Sequence, residues 1–100
     1  MRLRWSLRAL EQAEAALDYI AEDRPQAAAD WLSGLFEWTR MLETLPLQGR
    51  VVPEAHRDDL RELIYGSYRI VYRVRGDVVS VLLVHHSRQD FDAGEVDPSE

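Results

Sequence analysis

The first half of the chain carries apolar residues at the spacing of an α-helix. One stripe recurs at steps of three or four residues and comprises Leu10, Ala13, Leu17 and Ile20, with Ala9 and Ala16 beside it. Ser6 precedes the stripe, and its hydroxyl suits a helix N-cap. The pattern predicts a first helix that packs on the rest of the protein through this stripe.

A second helical pattern begins at Pro25, which suits a first helical turn because proline lacks the N–H that is unsatisfied there. Its apolar positions run to about residue 45 and comprise Ala28, Trp31, Leu35, Trp38, Leu42 and Leu45. Because so few residues join the two patterns, we expect an antiparallel helical hairpin.

The second half of the chain changes to a period of two. Residues 46–59 contain two prolines and one glycine and predict a loop. Residues 60–65 and 68–74 alternate as strands, and the apolar run at 78–85 predicts a strand buried on both faces. With a short strand at residues 2–5, the order is β-α-α-β-β-β. The sequence therefore predicts an α+β fold in which the helical hairpin covers one face of an antiparallel sheet.

Length and composition favour one folded domain at residues 1–91 and an acidic, flexible tail at 92–100. The chain has 100 residues, 46% of them hydrophobic, which is too short for two separate cores. It has no cysteine, which excludes disulfides and thiolate metal sites. No apolar segment follows its charged N-terminus, so we expect no secretory signal, and no apolar run has the roughly 20 residues that span a bilayer. We therefore expect a cytoplasmic protein with no membrane contact.

Charge is unevenly distributed around a net value of −6. Residues 46–88 carry seven arginines against five acids, a net +2, whereas residues 89–100 carry five acids and no base. All 12 basic residues are arginines, whose planar guanidinium suits carboxylate and phosphate partners.

Several short stretches, taken in order, resemble the RelE/ParE toxin superfamily over roughly residues 2–91. They are Trp5-Ser6-Leu7-Arg8-Ala9, Asp18-Tyr19-Ile20-Ala21, Leu45-Pro46 with Gly49-Arg50, Arg61-Glu62-Leu63, Gly66-Ser67-Tyr68-Arg69-Ile70-Val71-Tyr72-Arg73-Val74, and Val84-His85-His86-Ser87-Arg88-Gln89-Asp90. Within this superfamily, these stretches are more similar to ParE and plasmid stabilisation proteins than to the ribosome-dependent RelE enzymes.

The resemblance implies the toxin of a bacterial type II toxin–antitoxin system. ParE-like proteins inhibit DNA gyrase by direct protein contact, and a cognate antitoxin neutralises them in a hetero-oligomer. Such an antitoxin supplies a segment that folds as it wraps the toxin. The resemblance implies no cofactor and no metal.

Five residues are predicted to bind a partner: Arg61, Arg69, Arg73, Trp31 and Trp38. Arg69 and Arg73 share one face of their strand, and Arg69 occupies the family's G-x-Y-R-I position. A guanidinium there is able to hold a phosphate or an acidic side chain in a bidentate pair. The alternative is a solvated sheet face for the arginines and a core position for the tryptophans.

A RelE-like, ribosome-dependent endoribonuclease that cleaves mRNA is the alternative function. Arg69, His86 and Arg88 would be its catalytic residues, because RNA cleavage needs both proton transfer and stabilisation of phosphoryl charge. His86 is otherwise a sheet-rim residue, and His85 is predicted to pack within the strand. Three features argue against this activity: the chain has no lysine, Phe91 stands where related enzymes have tyrosine, and a net charge of −6 suits the ribosome poorly.

A third possibility is a binding module without toxicity, which joins its partner in repressing their operon. The residue pattern does not separate it from an active toxin, whereas growth after induction without antitoxin would.

Overall fold

A computed structural model describes residues 1–87, which form two α-helices and a five-stranded sheet. The elements in chain order are β1 (Arg2–Trp5), α1 (Leu7–Ala21), α2 (Pro25–Thr39), a 3₁₀ turn (Arg40–Glu43), β2 (Arg50–Val51), β3 (Leu60–Tyr65), β4 (Tyr68–Arg75) and β5 (Val78–His86). The strand order is β1-β5-β4-β3-β2. The predicted α+β fold is confirmed, whereas Arg88 and the predicted acidic tail lie outside the described residues.

Helix α1 packs on β5 through its smallest side chains. The Ser6 hydroxyl accepts a hydrogen bond from the Ala9 N–H at 3.0 Å, so the predicted N-cap is confirmed. Ala9 and Ala13 are buried, whereas Leu10 is 41% exposed. The prediction that Leu10 belongs to the packing stripe is therefore wrong, because the close approach of helix and sheet admits only alanine at its centre.

Helix α2 ends earlier than predicted. Pro25 lies in its first turn, but the α-helix stops at Thr39 and continues only as the 3₁₀ turn. Leu35 and Leu42 are fully buried, while Leu45 is 53% exposed and lies outside the core. Within residues 1–87, neither helix has the length and hydropathy of a membrane span.

The sheet is antiparallel except at one edge. β5 pairs antiparallel with β4 and parallel with β1, so the prediction of a wholly antiparallel sheet is wrong for the β1–β5 pair. The predicted loop at 46–59 also contains β2, in which Arg50 lies opposite Glu62 of β3. As predicted, β5 is buried along most of its length, and it is an interior strand between β1 and β4, although β4 is the middle strand of the five. Gly66 and Gly76 lie in the two hairpin turns with positive φ, which glycine adopts without steric penalty.

An irregularity in the β4–β5 pairing interrupts the alternation of β5. Val71 lies opposite Leu83 but Tyr72 lies opposite Val81, so Leu82 is the extra residue of a bulge. The bulge lets Leu82 and Leu83 both pack on the face away from the helices.

Apolar clusters form on both faces of the sheet. The buried members on the helix side are Ala9, Ala13, Leu35, Leu42, Leu63, Ile70, Tyr72, Val79, Val81 and Val84. Those on the opposite side, called here the helix-free face, are Val52, Leu60, Val71, Leu82 and Leu83. The loop between β2 and β3 supplies Val52, so this face is partly covered by the protein's own chain.

Candidate functional site

Arg69 and Arg73 lie on the helix-free face, on either side of Val71. Their predicted position on one common face is therefore confirmed. The alternative of an open, solvated face is wrong, because only 5% of Arg73 and 12% of the Arg69 side chain are exposed.

A buried carboxylate organises the arginines at one end of this face. The Glu62 side chain is 0% exposed and accepts a hydrogen bond from Arg50 Nε at 2.5 Å. Its other oxygen accepts hydrogen bonds from Arg69 Nε at 2.8 Å and from Arg69 Nη2. Arg69 also donates to both carboxylate oxygens of Glu54, at 3.1 and 3.2 Å. Arg69 therefore bridges two glutamates and ties β4 to β3 and to the loop that follows β2.

Arg69 and Glu54 are both held in their charged forms. The hydrogen bonds from Arg69 lower the pKa of Glu54, and the same bonds raise the pKa of Arg69. The two residues therefore remain an ion pair at neutral pH. Glu54 is 42% exposed, so water and salt screen this pair more than the pair with Glu62.

The sheet register separates two of the three residues predicted for catalysis. Arg69 lies directly opposite His85, whereas His86 lies opposite Tyr68 on the helix side, with the two rings 5.3 Å apart. Directly opposed residues share a face, so Arg69 and His86 point to opposite faces of the sheet. The third residue, Arg88, lies outside the described residues. The described part of the chain thus brings Arg69 beside His85 rather than His86.

The other predicted partner-binding residues have structural contacts. Arg61 Nη1 donates to the carbonyl oxygens of Leu47 and Gly49, the latter at 3.0 Å, and so fixes the chain leading into β2. Trp31 and Trp38 are half-buried rather than fully buried core residues. Together with Tyr65 and Tyr68 they form an aromatic cluster, in which the centroids of neighbouring rings lie 5.1 to 6.3 Å apart.

Arg57 and Asp59 form a bidentate ion pair beside Arg73. Arg57 Nε and Nη2 donate to the two carboxylate oxygens of Asp59 at 3.0 and 2.8 Å. These bonds hold the pKa of Asp59 below its ordinary value of 3.8. Because the folded pKa is the lower one, the pair stabilises the fold fully above about pH 4 and progressively less as pH falls through the folded pKa.

This ion pair predicts an acid-dependent loss of stability. Between about pH 7 and about pH 2, wild type should lose more stability than Asp59→Asn, which has no carboxylate to protonate. Urea unfolding midpoints measured across this range for both proteins check the expectation. Parallel curves for the two proteins would show that Asp59 contributes nothing through this pair.

The described residues contain no group of three or more histidine, aspartate or glutamate side chains that is arranged to hold a metal ion. The helix-free face therefore provides fixed positive charge and one buried carboxylate, that of Glu62.

Glu62, which holds Arg50 and Arg69 in place, was not among the predicted site residues. Glu62 lies two residues after Leu60, so strand alternation predicts that both residues share one face of β3. A carboxylate on the same face as a core leucine is the signal that could have identified it.

The fold is that of ParE-type toxins. A chain of the chromosomal ParDE TA system from P. aeruginosa superposes with a TM-score of 0.74 and 21% identity, over 86% of this chain and 95% of that one. A YoeB/ParE toxin from Agrobacterium tumefaciens superposes with a TM-score of 0.51 and 22% identity, over 86% of this chain and 98% of that one.

Sequence comparison identifies the family more narrowly. Residues 3–91 match the model of the ParE toxin of the type II toxin–antitoxin system, parDE. The candidate toxin Y4kP of Sinorhizobium fredii strain NGR234 is 34% identical over 92 residues, which cover 90% of this chain and 92% of that protein. The chain belongs to the ParE toxin family of type II toxin–antitoxin systems.

Proposed function

We propose that this protein is a toxin that inhibits DNA gyrase by direct binding in the cytoplasm, and that a cognate antitoxin neutralises it. Family membership supports the toxin–antitoxin class. The observation that favours binding over catalysis is the pairing of Arg69 with Glu62 and Glu54. A guanidinium whose N–H groups already donate to two carboxylates is poorly placed to stabilise charge on a scissile phosphate.

The separation of Arg69 and His86 on opposite faces supports the same choice. General acid–base catalysis requires the histidine within hydrogen-bond reach of the proton it moves, close to the group that stabilises phosphoryl charge. A toxin that blocks gyrase through surface contacts needs no such arrangement.

Exposed apolar side chains offer a surface for the antitoxin. Leu45 and Leu47 are 53% and 61% exposed, and Val51 of the edge strand β2 is 39% exposed. Half-buried Trp31 and Trp38 lie on α2, the helix that leads into this segment. We propose that an apolar antitoxin segment covers these five residues, while Arg61 and Arg69 contribute by shaping the surface.

A supercoiling assay with purified gyrase tests the proposed target. Micromolar wild-type protein should inhibit supercoiling, and His86→Gln should inhibit equally, because His86 has no role in a binding mechanism. The product of the neighbouring gene, if it is the antitoxin, should restore gyrase activity when added in equimolar amount. Unchanged gyrase activity at micromolar wild-type toxin would reject the gyrase assignment.

A ribosome-dependent mRNA endoribonuclease is the second candidate function. The register that sets His85 directly opposite Arg69 favours it, because one histidine and one arginine then share a face. His85 is only 6% exposed, so an RNA substrate would reach it only if neighbouring residues moved aside.

A further inference from the structure

Two arginines converge on one serine at the end of the helix-free face remote from Glu62. Arg4 of β1 lies opposite Ser80 of β5, and Ser80 lies opposite Arg73 of β4. Arg4 Nη1 donates to the Ser80 hydroxyl at 3.1 Å, so its guanidinium extends across β5 towards Arg73. Like charges are thus brought together over a small, buried polar side chain.

The next row of the sheet repeats the arrangement. Arg2 of β1 and Arg75 of β4 both lie opposite Val78 of β5. Because residues two apart in a strand share a face, Arg2 lies beside Arg4 and Arg75 beside Arg73. Four arginines therefore flank a shallow floor of Ser80 and Val78, and three of them, all except Arg73, are exposed.

Negative charge is scarce at this end of the face. Within residues 1–87, no carboxylate lies in ion-pair range of the four arginines, and Asp59 is already paired with Arg57. Arg73 is 95% buried, and its Nε and Nη1 have no hydrogen-bond partner within the same residues. Burial and repulsion from Arg75, Arg57 and Arg4 lower the pKa of Arg73, and the attraction of Asp59 offsets only part of this effect. A buried guanidinium without an acceptor is unfavourable unless an anion compensates it.

We propose that Arg4, Arg73 and Arg75 form a binding site for a phosphate group, lying over Ser80. An anion there would meet the exposed guanidiniums of Arg4 and Arg75 directly. It would also offset the charge of buried Arg73, which lies opposite Ser80 on the same face of the sheet. The site is separate from the Glu62 network and from the apolar antitoxin surface, and it does not depend on the proposed gyrase target.

Phosphate fits these residues better than a carboxylate does. A phosphate monoester carries about −1.5 to −2 charges and three acceptor oxygens, which match several converging guanidiniums. A carboxylate brings one charge and would leave most of the arginines uncompensated. Within residues 1–87, the aromatic rings that neighbour this region, Trp5 and Tyr72, belong to the helix side of the sheet. The site therefore lacks the stacking surface that recognises bases and is suited to the phosphate alone.

Thermal unfolding in phosphate and in chloride at matched ionic strength tests the site. The melting temperature of wild type should rise with inorganic phosphate. Arg4→Gln and Arg73→Met should each weaken the apparent phosphate affinity about tenfold, the effect of losing one charge-assisted contact. Arg24→Gln, which removes an exposed arginine from the helical hairpin, is the charge-matched control and should respond as wild type does.

Arg73→Met has a second expected result, because it removes a buried charge whose Nε and Nη1 have no hydrogen-bond partner within residues 1–87. In chloride it should be at least as stable as wild type, whereas truncation of an ordinary core residue is destabilising. If Arg73→Met does not fold, this expectation is contradicted, and Arg4→Gln still tests the site because Arg4 is exposed. Equal effects of phosphate and chloride on wild type, or an undiminished phosphate effect in Arg4→Gln, would overturn the proposal. So would stabilisation by a polyglutamate peptide that matches stabilisation by phosphate.

Two further probes identify the source of the phosphate once inorganic phosphate is shown to bind. Tighter binding of a 5′-nucleotide assigns a free phosphate ester. Tighter binding of a short DNA duplex, with an affinity that falls steeply as salt rises, assigns the nucleic-acid backbone. Both results support the site, and each excludes the other source.

Discussion

Gly49→Ala is expected to destabilise the protein by about 3 kcal/mol, because a methyl group has no room at this position. A Cβ at Gly49 would lie 2.5 Å from the carbonyl oxygen of Glu62 and 2.7 Å from the hydroxyl of Tyr72. The Glu62 backbone is held in β3 between β2 and β4, and Tyr72 is fully buried. The chain at Gly49 must therefore move away, which breaks the hydrogen bond from its N–H to the Tyr72 hydroxyl at 2.8 Å.

Gly34→Ala is the matched control, because its added Cβ also meets a tyrosine hydroxyl but no backbone. The contact is with the hydroxyl of Tyr65, a half-buried side chain that can shift at the cost of its long hydrogen bond to the Trp31 carbonyl oxygen, 3.3 Å. Alanine also favours helix over glycine by about 1 kcal/mol, which offsets part of the cost. Urea unfolding should place Gly34→Ala within about 1 kcal/mol of wild type. If both variants lost a similar free energy of unfolding, the clash with the Glu62 backbone would not explain the effect of Gly49→Ala.

Glu62→Ala is expected to lose about 3 to 5 kcal/mol of folding free energy, because it removes the buried acceptor of two arginines. Arg69, with 12% of its side chain exposed, would keep only the pairing with half-exposed Glu54 among the contacts described above. Arg50→Gln breaks the other pair of Glu62 but should cost less than about 1 kcal/mol, since the Arg50 side chain is 67% exposed.

A double-mutant cycle separates the ion pair from simple loss of packing. Glu62→Met with Arg69→Met removes both charges while keeping apolar volume, and it should recover much of the stability that either single variant loses. Chemical denaturation of the four proteins gives the coupling free energy. A Glu62→Ala protein as stable as Arg50→Gln, or a double variant no better than the singles, would refute a stabilising role for this network.

The residue pattern of the sequence was sufficient to predict the helices, four of the five strands and the interior position of β5. It could not predict the direction of β1 relative to β5, because alternation is the same in parallel and antiparallel strands. It also could not show that alanines rather than Leu10 face the sheet, since that choice depends on how closely α1 approaches β5. The two residues of β2 carry too short a pattern to be distinguished from a loop.

The candidate site was predicted in part. Strand alternation placed Arg69 and Arg73 together, but their environments differ for reasons that lie elsewhere in the chain. Glu62 on the neighbouring strand neutralises Arg69, whereas Arg4, 69 residues away in sequence, adds positive charge beside Arg73. His85 rather than His86 lies opposite Arg69 because the bulge at Leu82 shifts the register of β5. Strand alternation without a bulge would place His86 on the same face as Arg69.

Induction of the toxin in cells that lack antitoxin, followed by parallel assays for DNA damage and mRNA integrity, tests the central claim most directly. We expect an SOS response with intact mRNA, and the same response from His86→Gln, because the proposed mechanism is contact with gyrase and requires no RNA cleavage. Arg69→Ala is informative only with its folding confirmed, since it also removes one of the two arginine partners of Glu62. Primer extension that reveals cleavage within codons, abolished in a folded Arg69→Ala protein, would contradict the account and establish the nuclease.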